Sequence, residues 1–144
     1  MKPLHHKELL TVQWRRNAVH IIDQTKLPNK LVYLTCTDYR EIAKAIKLLV
    51  VRGAPALGIC AALALLLVTL NSKAKTERGL RSELERAGSL LISTRPTAIN
   101  ISWAVRRILK ISSKGKNVRE IKRLVKREAL TMLDDDILTN RKMG

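Results

Sequence analysis

Arg52-Gly53-Ala54-Pro55-Ala56-Leu57-Gly58, with the apolar run Ile59 to Leu70 behind it, decides how this chain folds. No charged residue occurs between Pro55 and Leu70. Proline suits a helix start, because its missing N–H would find no partner there. Glycine lets the backbone turn where a side chain would collide. The stretch therefore predicts a tight turn opening a buried helix, with Arg52 at its mouth. Free N–H groups and the positive end of the helix dipole meet at such a mouth, a setting that suits an anion.

Thr94-Arg95-Pro96-Thr97 repeats the design, with an arginine before a proline and an amphipathic segment behind (Ile101, Ala104, Ile108). It predicts a helix opening at Pro96 and reaching about Ile111. Two arginines at two helix starts would converge on one anion. Read from the residues alone, capping a helix or pairing with a carboxylate is the commoner role for each.

Working outward, Leu10 to Trp14 alternates apolar and polar residues as a strand does, and Val19 to Ile22 follows across the turn-prone Arg15 to Ala18. Leu31 to Cys36 is a third β-rich segment beyond a loop broken by Pro28. Asp38 and Glu41 have the spacing of a capping box. The helix behind them (Ile42, Ala45, Ile46, Leu49, Val50) is expected to run to Gly53. Thr76 to Ser93 predicts another helix. Beyond the linker Ser112 to Asn117, a long last helix carries Val118, Ile121, Val125, Ala129, Met132 and Leu133 on one side and its basic residues on the other. The fold class is α+β, mainly α: an antiparallel sheet of about three strands in residues 1–36, then a bundle of about five helices in 37–144.

The chain has 144 residues, enough for one domain with a real core, and no Phe, so that core is aliphatic. The net charge is +16, and Val105 to Arg127 holds ten Lys or Arg against one acid, Glu120. Such a block attracts phosphates, nucleic acid or an acidic partner surface. No zinc-finger, RNA-binding or helix-turn-helix pattern accompanies it, and aromatics for stacking bases are scarce, which argues against nucleic acid. Cys36 and Cys60 share no metal spacing, and neither a metal nor a cofactor is called for. His5 and His6 receive no role. Met1 to Gln13 lacks a signal-peptide core, so the expected location is the cytoplasm. The uncharged run Gly53 to Ser72 approaches the roughly 20 residues of a bilayer span, but polar residues at both ends leave an apolar part closer to a buried core helix.

Four stretches in order resemble a known family: Trp14 with Val19 to Pro28 (VHIIDQTKLP), Val51 to Gly58 (VRGAPALG), Thr94 to Asn100 (TRPTAIN) with Trp103-Ala104, and Asp135-Asp136-Ile137 with Asn140 and Met143-Gly144. Their order and spacing are similar to the N-terminal part of the methylthioribose-1-phosphate isomerases. These share a wider family with the regulatory subunits of translation initiation factor 2B and the ribose-1,5-bisphosphate isomerases. Leu57 stands where isoleucine is usual, and Leu63 where tyrosine is frequent.

The resemblance implies a helical N-terminal domain with a small sheet, and a Rossmann-like C-terminal domain expected to begin near Gly144. It implies that Arg52, Gly53, Ala54 and Arg95 contact a phosphosugar. It carries no catalytic residue onto this chain, because the family's catalytic cysteine and aspartate belong to motifs of the C-terminal domain. The expected function is the phosphosugar-binding part of an aldose–ketose isomerase, inactive alone, whose partner is a C-terminal catalytic domain or a second chain, with homo-oligomers left open. The alternatives are an initiation factor 2B-like regulatory or assembly protein, and a nucleic-acid binder acting through charge.

Overall fold

The computed structural model describes residues 11–51 and 53–143. Leu10 and Arg52, singled out above, lie outside the described residues, as do His5, His6 and Gly144. The described residues open with an antiparallel sheet in the order β1 (Val12–Arg15), β2 (Ala18–Ile22), β3 (Tyr33–Cys36). Val12 pairs with Ile21 and Arg15 with Ala18, so only Arg16 and Asn17 form the first turn. Both have positive φ, 54° and 57°. That combination matches the right-handed twist of a two-residue hairpin, and the turn is therefore tighter than the one expected over Arg15 to Ala18. The third strand starts at Tyr33 rather than Leu31. Val19, Ile21 and Cys36 turn their side chains into the core.

Five helices follow: α1 (Tyr39–Lys47), α2 (Ala54–Asn71), α3 (Glu77–Thr94), α4 (Ile99–Ser112) and α5 (Val118–Met143). The capping box at α1 is formed: Arg40 N–H donates to Asp38 Oδ1 at 2.7 Å, and Asp38 N–H donates to Glu41 Oε1 at 3.1 Å. Thr76 caps α3 and Asn117 caps α5 through Glu120 N–H. Two predicted boundaries move. α1 ends at Lys47 instead of continuing to Gly53, because Leu49 takes a positive φ of 62° that breaks the helical path. Pro96 does not start α4. Ala98 N–H donates to the Arg95 carbonyl at 2.9 Å, closing a turn with Pro96 at its second position, where its fixed φ fits.

The core is organised around α2. Every residue from Leu57 to Thr69 is buried. The helix touches each of the other four helices and strands β1 and β2. This enclosure accounts for the uncharged run that approached the length of a membrane span. Burying each of Leu63, Leu65, Leu66 and Leu67 stabilises by about 1.5–3 kcal/mol. The polar group inside this core is satisfied, since Thr69 Oγ1 donates to the Leu66 carbonyl at 2.7 Å.

Contacts at the helix ends set the bundle's directions. Arg81, early in α3, donates to the carbonyls of Ser113 and Gly115 just beyond α4. Lys122, early in α5, reaches the Ser72 carbonyl at the end of α2. α3 and α5 thus run opposite to α2 and α4, and the starts of α2 and α4 share one end. Gly88 sits where α3 crosses α4: a Cβ there would lie 2.6 Å from Val105 Cγ1. Val105 is β-branched and cannot swing aside. Gly88→Ala is expected to lower stability by about 1–2 kcal/mol, overpacking outweighing the gain in helix propensity. The check is a fall in the urea unfolding midpoint.

Candidate anion site at two helix starts

Three of the five helices start behind a side-chain cap, while α2 and α4 do not. α2 begins behind Gly53 and α4 behind Ala98, neither with a side-chain cap and neither with an acidic residue in its first turn. The two starts lie together: a Cβ on Gly58 would be 3.2 Å from the Asn100 carbonyl oxygen, so the first turn of α4 rests on the second turn of α2. Two positive dipole ends with no carboxylate in either first turn form an electropositive end of the bundle.

Gly53 has φ 94° and ψ 131°, a combination open in practice only to glycine, and nothing lies within 4 Å of its missing Cβ. Its carbonyl accepts from Leu57 N–H at 3.1 Å, while Pro55 takes the second helical position. Ala54, the first helical residue, is exposed. The loop before it is fixed from behind. Val51 is fully buried, and Gln24 N–H donates to the Val50 carbonyl at 3.0 Å. Gln24 belongs to the Asp23-Gln24-Thr25-Lys26-Leu27-Pro28 stretch, whose 3₁₀ turn is held by Asp23 accepting from Thr25 N–H at 2.9 Å. Two motifs well separated in the sequence, one ending at Pro28 and the other opening at Val51, are therefore one structural unit, the first holding the second.

Arg95 is half-buried and closes α3 as its C-cap residue, three residues before Ala98. It enters the shared end of the bundle from the end of a helix, not from the start of one. Of the residues singled out from sequence, the structure describes Gly53, Ala54 and Arg95.

Beside the two helix starts opens a cleft of about 260 Å³ lined by residues that include Pro55, Gly58, Asn100, Trp103, Met132 and Asp136. Trp103 is 54% exposed and Ile99, one turn before it, 78% exposed. The guanidinium of Arg107 lies 5.3 Å from the Trp103 ring centroid, and its Nε donates to Glu128 Oε2 at 2.5 Å. Burial pushes the Asp136 carboxyl above its ordinary range. This cleft was not legible as such, although Asn100, Trp103, Asp135 and Asp136 stood in the resembling stretches, because only packing brings the far half of α5 against the start of α2.

Residues 50–144 match the model of the initiation factor 2 subunit family. The chain belongs to that family. Among its relatives, a methylthioribose-1-phosphate isomerase of Desulforamulus reducens is 39% identical over 133 residues, covering 91% of this chain and 38% of the relative. A 5-deoxyribose 1-phosphate isomerase of Moorella thermoacetica is 40% identical over 141 residues, covering 96% and 40%. Two solved structures superpose with TM-scores of 0.83 at 38% identity: translation initiation factor eIF-2B subunit delta from A. fulgidus, over 88% of this chain and 37% of that one, and 5-methylthioribose 1-phosphate isomerase from Pyrococcus horikoshii OT3, over 87% and 36%. This member of the initiation factor 2 subunit family spans about two fifths of the length of those curated relatives.

Neither cysteine serves the site. Both are buried and free, Cys36 in β3 and Cys60 inside α2. Burial, and secondarily the Glu41 charge, pushes the Cys36 thiol up to about 11. Burial also raises Cys60, with a smaller contribution from Cys36. At pH 8 a thiol titrating near 11 holds roughly a hundredth of the thiolate of one titrating at 9. Both thiols are expected to resist an aromatic disulfide reagent in the native chain and to react at once in denaturant. Because the folded-state value is raised, the associated stability is complete below about pH 9 and declines as pH climbs from 9 to 11. Gly53→Ala is expected to cost about 1–2 kcal/mol from backbone strain alone, read as a lowered thermal midpoint.

Proposed function

We propose that this chain is the phosphosugar-gripping domain of an aldose–ketose isomerase acting on 5-methylthioribose 1-phosphate. The observation that carries the reading is the pair of adjacent helix starts without side-chain caps. Gly53 and Ala54 present backbone N–H groups to the phosphate, Arg52 stands beside them in the sequence, and Arg95 approaches from the end of α3. Glycine at position 53 keeps that approach clear of a side chain. The fold by itself does not choose between isomerase and initiation factor subunit, since the two solved structures superpose equally well. The isomerase reading is supported by the names of the relatives that match most of this chain, and by the Asp23 to Pro28 unit that holds the loop.

The chemistry moves hydrogen between neighbouring carbons and requires a positioned acid and base. Neither buried thiol is poised for that work. The roles fit a division of labour in which residues 1–144 form an N-terminal domain that binds the phosphate, and a Rossmann-like domain, of the kind that would complete the length of the relatives, supplies the acid–base pair. The chain by itself is then expected to bind but not to turn over.

Titration with 5-methylthioribose 1-phosphate, followed by amide shifts, tests the reading. Shifts should centre on Gly53, Ala54 and the Arg95 to Ala98 turn. A charge-assisted hydrogen bond contributes about 1.5–3 kcal/mol, so Arg95→Ala is expected to weaken binding about ten- to hundredfold. Shifts spread elsewhere, affinity unchanged by Arg95→Ala, or turnover by this chain alone would overturn it.

A further inference from the structure

The anion site accounts for one end of the bundle and leaves the excess charge unexplained. On α4 and the turn after it, Arg106, Lys110 and Lys114 are all exposed. On α5, Arg119, Arg123 and Arg127 are all exposed. Each set is spaced by four residues, so each makes a row with a cation about every 6 Å. The helices that carry them are adjacent and antiparallel. At one end Arg107, beside Arg106, is paired with Glu128, beside Arg127. At the other end only the short link from Ser113 to Asn117 separates Lys114 from Arg119.

Folding does not explain this face. Arg106 with Lys110, Arg119 with Arg123, and Arg123 with Arg127 are like charges four apart on a helix, an unfavourable arrangement. Arg119 also lies in the first turn of α5, at the positive dipole end, where cations are disfavoured. None of the six enters an ion pair among the described residues. Trp103 stands three residues before Arg106 and seven before Lys110, on the same face of α4, with 54% of its surface exposed. Scarcity of aromatics argued against nucleic acid at the level of sequence; the structure puts one of the chain's two tryptophans at the head of the basic rows.

We propose that the α4–α5 face binds single-stranded nucleic acid, the two rows following the phosphates and Trp103 stacking on a base. Regular cation spacing beside an exposed ring is the chemistry of such binding. The cation rows stand on residues apart from the phosphosugar grip, and Trp103 borders the cleft beside that grip.

The purified chain is titrated with single strands of about 20 nucleotides, oligouridylate in one arm and oligothymidylate in the other. Trp103 fluorescence should be quenched, and Trp103→Leu should abolish the quench and weaken binding. With six phosphates neutralised, log affinity should fall against log salt with a slope of about −4, a loss of roughly 300-fold between about 50 and 200 mM. Arg119→Gln/Arg123→Gln/Arg127→Gln should weaken binding more than about tenfold, and Arg106→Gln/Lys110→Gln, on the other helix, should do the same, with circular dichroism unchanged in both. Tighter binding in one arm identifies the natural polymer, and comparable binding in both supports recognition through the backbone. A flat salt response, affinity indifferent to both sets of substitutions, or equal competition by polyglutamate with Trp103→Leu without effect would overturn the proposal. That last result would assign the face to an acidic protein.

Discussion

A helix with no polar side must be covered on every side, and the rest of this molecule is arranged to do that for α2. Its central residues from Leu57 to Thr69 have no face to give to water. An ordinary surface helix offers one stripe to a core; α2 is the core. Four helices and two strands close around it, which is why a three-stranded sheet too small to stand alone finds a surface to pack on. Small residues make the enclosure tight. Gly58 admits the backbone of α4 at Asn100, and Gly88 admits Val105, so α4 sits close to both neighbours.

The same constraint makes the candidate site. Once α2 is buried along its length, its start must emerge at one end of the bundle, and α4, packed against it, emerges there too. Two helix starts side by side without caps are a local cost that a bound anion would offset. The Asp23 to Pro28 turn, Val51 and the break at Leu49 hold the connecting loop in place from the inner side. The site is thus a by-product of core packing that the sequence equips with glycine and arginine. The buried cysteines belong to the core alone.

Much of the fold could be read from residues because the signals were local. The capping box at Asp38 and Glu41, the charge-free run behind Pro55, the linker before Val118 and the apolar spacing along α5 each declare an element without reference to its neighbours. The errors came where two local signals competed. Pro96 fits both the first turn of a helix and the second position of a β-turn, and the hydrogen bond from Ala98 to Arg95 decides for the turn. Leu49 continues the apolar period of α1, yet the chain must reverse before Gly53 to lay α2 along the core, and tertiary closure wins. Arg95 precedes a proline in the sequence, and its position at the end of α3 follows from that same turn.

The sequence by itself determined most of the elements, the central role of the apolar helix and the family. Those are encoded in short spacings, because caps, periods and turns are set by interactions within a few residues. Only the tertiary structure decided that the two helix starts adjoin, that the Gln24 backbone holds the loop before Gly53, that Trp103 and Asp136 share a cleft, and that the exposed cations of α4 and α5 stand on neighbouring helices. Each of those depends on which faces of distant segments meet. That choice is made by the packing of side chains around α2, a non-local constraint that no short stretch carries.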